Sequence, residues 1–123
     1  MQLELTAYDP LWLLLFEQEA TQLRQLFLPQ PVTVEHVGST VVPGMAARPV
    51  IDILIGLAPL LPLAQYEQLF FYTDYRHCPA ENAGRYSFYR PLPVHFYDLA
   101  YKYRPAPPLW GAGLYLYLLS IPQ

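Results

Sequence analysis

Residues 34–57 read Val34-Glu35-His36-Val37-Gly38-Ser39-Thr40-Val41-Val42-Pro43-Gly44-Met45-Ala46-Ala47-Arg48-Pro49-Val50-Ile51-Asp52-Ile53-Leu54-Ile55-Gly56-Leu57. An apolar run meets a Gly-Ser turn, a short connection follows, and a second apolar run carries one acid. The first run is Val32 to Val37 and the second is Val50 to Leu57. The second is rich in β-branched residues and bounded by Pro49 and Gly56, and the pattern predicts two strands. A lone carboxylate in such a run is costly to bury unless something pairs with it. Asp52 therefore requires a partner: a metal ion, a cluster of donors, or the open end of a sheet. The Gly-Ser turn is one candidate. Gly38 allows the backbone to turn tightly and present N–H groups, and Ser39 and Thr40 add hydroxyls, a combination that suits a phosphate.

Upstream, Asp9-Pro10 is a helix-start signal. Trp12, Leu15, Phe16, Glu19, Leu23, Leu26 and Phe27 then recur near the helical period. This predicts an amphipathic helix from Pro10 to about Leu28, stopped by Pro29 and Pro31. Glu35 and His36 are adjacent in the first strand, so they point to opposite faces and do not share one site. Each has a structural reading beside a functional one. Glu35 suits a backbone hydrogen bond or the site, and His36 suits the core, the sheet edge or the site. Arg48 is the one cation close to the acid-bearing strand, placed to pair with Asp52 or a ligand phosphate, or simply to sit at the surface.

Downstream, Pro59 and Pro62 open a second helix from Leu63 to Tyr72. Residues 73–84 read as a polar connection, in which His77 and Cys78 lack the further ligands of a zinc site. Arg85 to Arg90 reads as a third strand, with Arg85, Ser87 and Tyr89 on one face and Tyr86, Phe88 and Arg90 on the other. Val94 to Leu99 reads as a fourth, carrying His95. Pro105, Pro107 and Pro108 then break the chain before a Leu/Tyr alternation over residues 114–119. That alternation favours a strand, with a short helix left open. Such an apolar terminus must be paired or covered, which raises the expectation of self-association.

The run Glu-His-Val-Gly-Ser-Thr, then Val-Pro-Gly, Arg-Pro and Ile-Asp-Ile-Leu, strongly resembles the GrpB family, as does Tyr8-Asp9-Pro10-x-Trp12. That family belongs to the polymerase-β-like nucleotidyltransferase superfamily. The superfamily signature is Gly-Ser, then acid-x-acid on the next strand, then a third acid later. Gly38-Ser39 and Asp52 match it, whereas Leu54 stands in the place of the second acid. The family usually shows His-x-His on the later strand, where this chain has Pro93 and His95. The resemblance covers about residues 5–100, and 101–123 are atypical.

The resemblance implies an α+β fold: a nucleotidyltransferase-like small mixed sheet covered by the N-terminal amphipathic helix and the second helix. It implies metal-dependent nucleotidyl transfer from a nucleoside triphosphate. Asp52 and His95 would then be catalytic and hold Mg2+ or Mn2+. Gly38, Ser39, Thr40, Arg48 and Arg90 would receive the phosphates, and Glu35 and His36 would support the site. The alternative is a non-catalytic module for a nucleotide or phosphorylated metabolite, linked through the family to coenzyme A metabolism. A third reading is a degenerate fragment that only associates through its tail.

Bulk properties bound these readings. At 123 residues the chain is read as one domain. Hydrophobic residues make up 54% and charged ones 14%, against about 25% charged in typical domains, so Tyr, Gln and Pro must carry much of the surface. A net charge of −3 argues against general nucleic-acid binding. Cys78 is the only cysteine, which excludes an internal disulfide and fits a reducing cytoplasm. The start lacks the charged and apolar regions of a signal peptide, and no apolar run approaches the roughly 20 residues of a membrane span.

Overall fold

The computed structural model describes residues 5–79, 84–92 and 113–122. Helix α1 is Leu11–Phe27. Asp9 Oδ1 accepts the Leu11 N–H at 3.0 Å, and Pro10 follows it at the cap. The buried stripe is Trp12, Leu15, Phe16, Glu19, Ala20, Leu23 and Phe27, the helical-period face read from the sequence except that Ala20 joins it and Leu26 is only half-buried.

Strand β1 is Thr33–Val37 and β2 is Val50–Leu57. Helix α2 is Leu63–Leu69, three residues shorter than expected. Thr73 is the reason: its hydroxyl donates to Phe70 O at 2.7 Å and accepts the Tyr75 N–H at 3.1 Å, which folds the chain into a turn. Strand β3, Arg76–Cys78, lies within the segment expected to be a polar connection. Its residues have little strand propensity of their own, and pairing with β4 makes the strand. Strand β4 is Arg85–Pro91 and β5 is Gly113–Ser120. The expected strand at 94–99, with His95, lies outside the described residues.

One five-stranded mixed sheet results, in the order β1-β2-β5-β4-β3. β5 runs parallel to β2 and antiparallel to β4. Self-association was expected because an apolar terminal strand must be paired or covered. Strand β5 is paired along both edges within this chain, at the centre of the sheet, so the hazard that motivated self-association is met internally.

The register sorts side chains into two faces. Ile51, Ile53, Ile55 and Leu57 of β2 and Leu114, Leu116 and Leu118 of β5 have no exposed surface and lie under the helices. Burying each such side chain is worth about 1.5–3 kcal/mol before the entropy of ordering it. The helices key onto this face through rings. Phe16 stacks on His36 at 4.9 Å, and Phe70 meets Phe88 at 4.6 Å. A polar tie joins α1 to β4: Tyr75 donates its hydroxyl to buried Glu19 at 2.8 Å, and Arg90 reaches the same oxygen at 3.5 Å. The architecture is α+β, two helices on a mixed sheet, as expected.

Candidate functional site

Alternation places Asp52 and Leu54 on the sheet face opposite the buried isoleucines. Register gives their neighbours. Asp52 pairs with Val37 of β1 and Tyr115 of β5. Leu54 pairs with Glu35 and Tyr117. In β4, Tyr89 continues the first row and Ser87 the second.

Gly38 closes β1 with φ +84° and ψ −171°, a region that only glycine occupies readily. The Asp52 carboxylate lies directly against it: a Cβ at Gly38 would come 2.6 Å from Asp52 Oδ2. Backbone freedom and close approach thus both require glycine. Beyond it, Ser39–Val41 form one 3-10 turn, closed by the Val41 N–H to Gly38 O and the Val42 N–H to Ser39 O. Ser39 is exposed. The turn and the acid are therefore one unit.

Asp52 gains its partner from an unexpected place. The Tyr117 hydroxyl donates to Asp52 Oδ1 at 2.9 Å. Burial lifts the Asp52 carboxyl above its ordinary range, while the Tyr117 bond and the Arg48 charge pull it back. Burial and the same bond push the Tyr117 hydroxyl up to about 12, so it remains a donor at neutral pH. Sequence reading had the Leu/Tyr alternation as a strand but no signal for its position beside the acid.

Thr40 and His36 brace the turn from the helix side. The Thr40 hydroxyl donates to Val50 O at 3.3 Å, and His36 Nε2 lies 2.8 Å from the Thr40 oxygen. A hydroxyl has one proton, so His36 Nε2 is the donor and Nδ1 carries a lone pair. Burial lowers the His36 pKa, against the opposing charge of Glu17, which favours this neutral ring. Thr40 has no exposed surface, so its expected phosphate contact is corrected to holding the loop, with half-buried His36 as its partner.

The other expected residues divide. Arg48 is exposed and acts on Asp52 through its charge. Glu35 is exposed on the Asp52 face, opposite Leu54. Arg90 is not at the site. It lies on the helix-covered face, ion-paired with Glu19 and 5.5 Å above the Tyr75 ring. The alternation that places Tyr89 on the Asp52 face sends Arg90 to the other, so its expected phosphate role is corrected to a structural one. His95 lies outside the described residues.

No three His, Cys, Asp or Glu side chains among the described residues gather as a metal site. A two-metal centre, which requires several carboxylates, does not fit them. A single magnesium ion requires less: one or two carboxylates, with water and substrate phosphates completing the shell. Asp52 fits that smaller role. No helix among the described residues is long and apolar enough to cross a membrane.

Comparison with known proteins gives a family and a fold. The model of the GrpB protein family matches residues 2–101. A UPF0157 protein of Halalkalibacterium halodurans is 51% identical over 51 residues, covering 42% of this chain and 26% of that protein. The UPF0157 protein YqkA of Bacillus subtilis is 33% identical over 67 residues, covering 54% of this chain and 20% of that protein. The matched stretches thus span well under two thirds of these relatives. The crystal structure of conserved protein GrpB from Enterococcus faecalis shares the fold, with a TM-score of 0.71 at 24% identity. That alignment covers 95% of this chain and 61% of the other. The family match takes in α1, the Gly38 turn and the Asp52 strand together: this chain belongs to the GrpB family.

Proposed function

We propose that the chain binds a nucleotide or phosphorylated metabolite at the Gly38–Ser39 turn. The packing of the Asp52 carboxylate against Gly38 carries this reading, because it ties a turn suited to phosphate to one acid suited to a phosphate-bound cation. Ser39 supplies a hydroxyl at the turn, and Arg48 offsets phosphate charge. A magnesium or manganese ion arriving on the phosphates would take Asp52 as its protein ligand and neutralise charge there. The test is a thermal melt of the purified protein with nucleoside triphosphates and phosphorylated metabolites, with and without magnesium. A ligand at about 100 times its dissociation constant adds roughly 2.7 kcal/mol, which raises the melting temperature by several degrees. The shift is expected to vanish in Asp52→Asn. A cooperative melt that no phosphate ligand moves would sink the reading.

A second reading is nucleotidyl transfer, with membership of the nucleotidyltransferase superfamily. The position of Glu35 favours it. Glu35 sits across the strand pair from Leu54, so a carboxylate borders the place of the missing second acid. An acceptor hydroxyl would attack the α-phosphorus and pyrophosphate would leave. Metal-dependent pyrophosphate release that falls in both Asp52→Asn and Glu35→Gln is the expected result. Release that is indifferent to both variants would count against it.

A further inference from the structure

Strand β5 puts tyrosines, not more aliphatics, beside Asp52. Tyr115 and Tyr117 stand on the Asp52 face, with rings near-parallel at 13° and centroids 6.4 Å apart. Tyr89 of β4 adds a third ring 4.6 Å from Tyr115. Arg85 lies over the Tyr117 ring at 5.3 Å. The helix-covered half of the same strand is wholly Leu114, Leu116 and Leu118. Three half-buried tyrosines on the other half form a polar-edged aromatic strip, with the acid bonded to Tyr117 and the Arg85 guanidinium over that same ring.

We infer that this strip is a stacking platform for the base of a nucleoside whose phosphates occupy the Gly38–Ser39 turn, with Tyr115 as its central ring. The inference rests on the phosphate reading of the turn and names the rest of the ligand. Neighbouring strands lie about 4.8 Å apart, so Val37, at the edge of the turn, is about 10 Å from Tyr115 across Asp52. That span suits a nucleotide laid across the strands from phosphate to base. Base-on-ring stacking tolerates any base, since every base has a π-face. The ligand is one nucleotide rather than a polynucleotide, because 7 Lys and Arg against 10 Asp and Glu leave no basic stripe for a strand.

The experiment is isothermal titration of the full chain, with magnesium present, against ATP, inorganic tripolyphosphate and adenosine. ATP is expected to bind more tightly than tripolyphosphate. Tyr115→Leu is expected to weaken ATP about five- to hundredfold, the range of base–aromatic stacking, while leaving tripolyphosphate unchanged. Tyr115→Phe, which keeps the ring, is expected to bind ATP as the parent does. Equal affinity for ATP and tripolyphosphate would overturn the platform and leave the turn standing. Adenosine binding that Tyr115→Leu abolishes, with no tripolyphosphate binding, would support the platform and sink the turn. No binding of any of the three would overturn both. Should Tyr115→Leu fail to fold, adenine H2 and H8 proton shifts on the parent protein decide. Upfield ring-current shifts are expected, and unmoved resonances would overturn the proposal.

Discussion

The Tyr117 hydroxyl lies 2.9 Å from Asp52 Oδ1, across 65 residues of sequence. Parallel pairing of β2 and β5 sets the contact, since Tyr117 is the register partner of Leu54 and its ring leans back to the acid. Leu54, two residues beyond Asp52 on the same face, is apolar, and the hydroxyl that engages Asp52 comes from the register neighbour of Leu54.

This contact has a pH signature. The folded Asp52 carboxyl is held above its ordinary value of 3.8. A raised acid favours the protonated form in the fold, so its contribution to stability declines as pH rises from about 3.8 through the folded value. Asp52→Asn is therefore expected to raise the melting temperature at pH 7 and to flatten that part of the pH profile. Tyr117→Phe removes a bond that lowers the Asp52 pKa, so the carboxyl should titrate higher still. Carbon-detected NMR of the Asp52 carboxyl reads this directly, and a downward move would contradict the assignment.

Gly38→Ala and Gly44→Ala form an internal control. Both glycines have positive φ, +84° and +80°. A Cβ at Gly44 meets nothing within 4 Å, whereas one at Gly38 meets the Asp52 carboxylate. Gly44→Ala should cost only the backbone term, about 1–2 kcal/mol. Gly38→Ala should cost more, about 2–4 kcal/mol, by adding displacement of the carboxylate to a strained backbone. Chemical denaturation of both variants measures the difference. Equal losses would mean that the carboxylate moves aside without cost.

Arg90→Met should separate stability from ligand binding. The change leaves Glu19 with its Tyr75 bond but no cation, inside a pair whose side chains are 16% and 9% exposed. Breaking a buried pair from one side costs about 3–5 kcal/mol, and the long 3.5 Å contact puts this case at the low end. The melting temperature should fall while affinity for any phosphate ligand stays within twofold. Selective loss of affinity would return Arg90 to the site.

Leu54→Asp tests whether the face beside Asp52 borders a cation. The new carboxylate would face Glu35 across β1–β2, and like charges directly opposite cost about 0.2–1 kcal/mol. Divalent cations should relieve that repulsion. Manganese is therefore expected to raise the melting temperature of the variant more than that of the parent. Identical manganese responses would show that residue 54 does not border a cation site.

Local chemistry made part of this legible. Helix α1 was readable because seven residues at helical spacing lie between a capping Asp and a Pro stop. Strand β2 was readable because Val50, Ile51, Ile53 and Ile55 make a mostly β-branched run between Pro49 and Gly56, broken only by Asp52 and Leu54. The Gly38 turn was legible as one candidate partner for Asp52, whereas the direct packing of the carboxylate against Gly38 was not. Strand alternation around Arg85–Arg90 already assigned Tyr89 and Arg90 to opposite faces. What it lacked was which face the helices cover, so Arg90 was expected at the site. Strand β3 and the seat of β5 depend on partners far along the chain, and no local pattern encodes them.

Among the described strands, the β1–β2 ladder and the β3–β4 ladder meet only through β5. Each ladder joins segments close in sequence and can form early, while docking β5 closes long loops and is the slow kind of step. Tyr115 and Tyr117 arrive with that strand. Asp52 therefore acquires its hydroxyl donor only when the sheet closes. Until then the acid and its turn exist without the tyrosine surface beside them. On the proposed phosphate reading, ligand affinity would then report completed folding, and a cut that removes residues 113–120 is expected to abolish it even though every turn and strand residue from Val37 to Asp52 is still present.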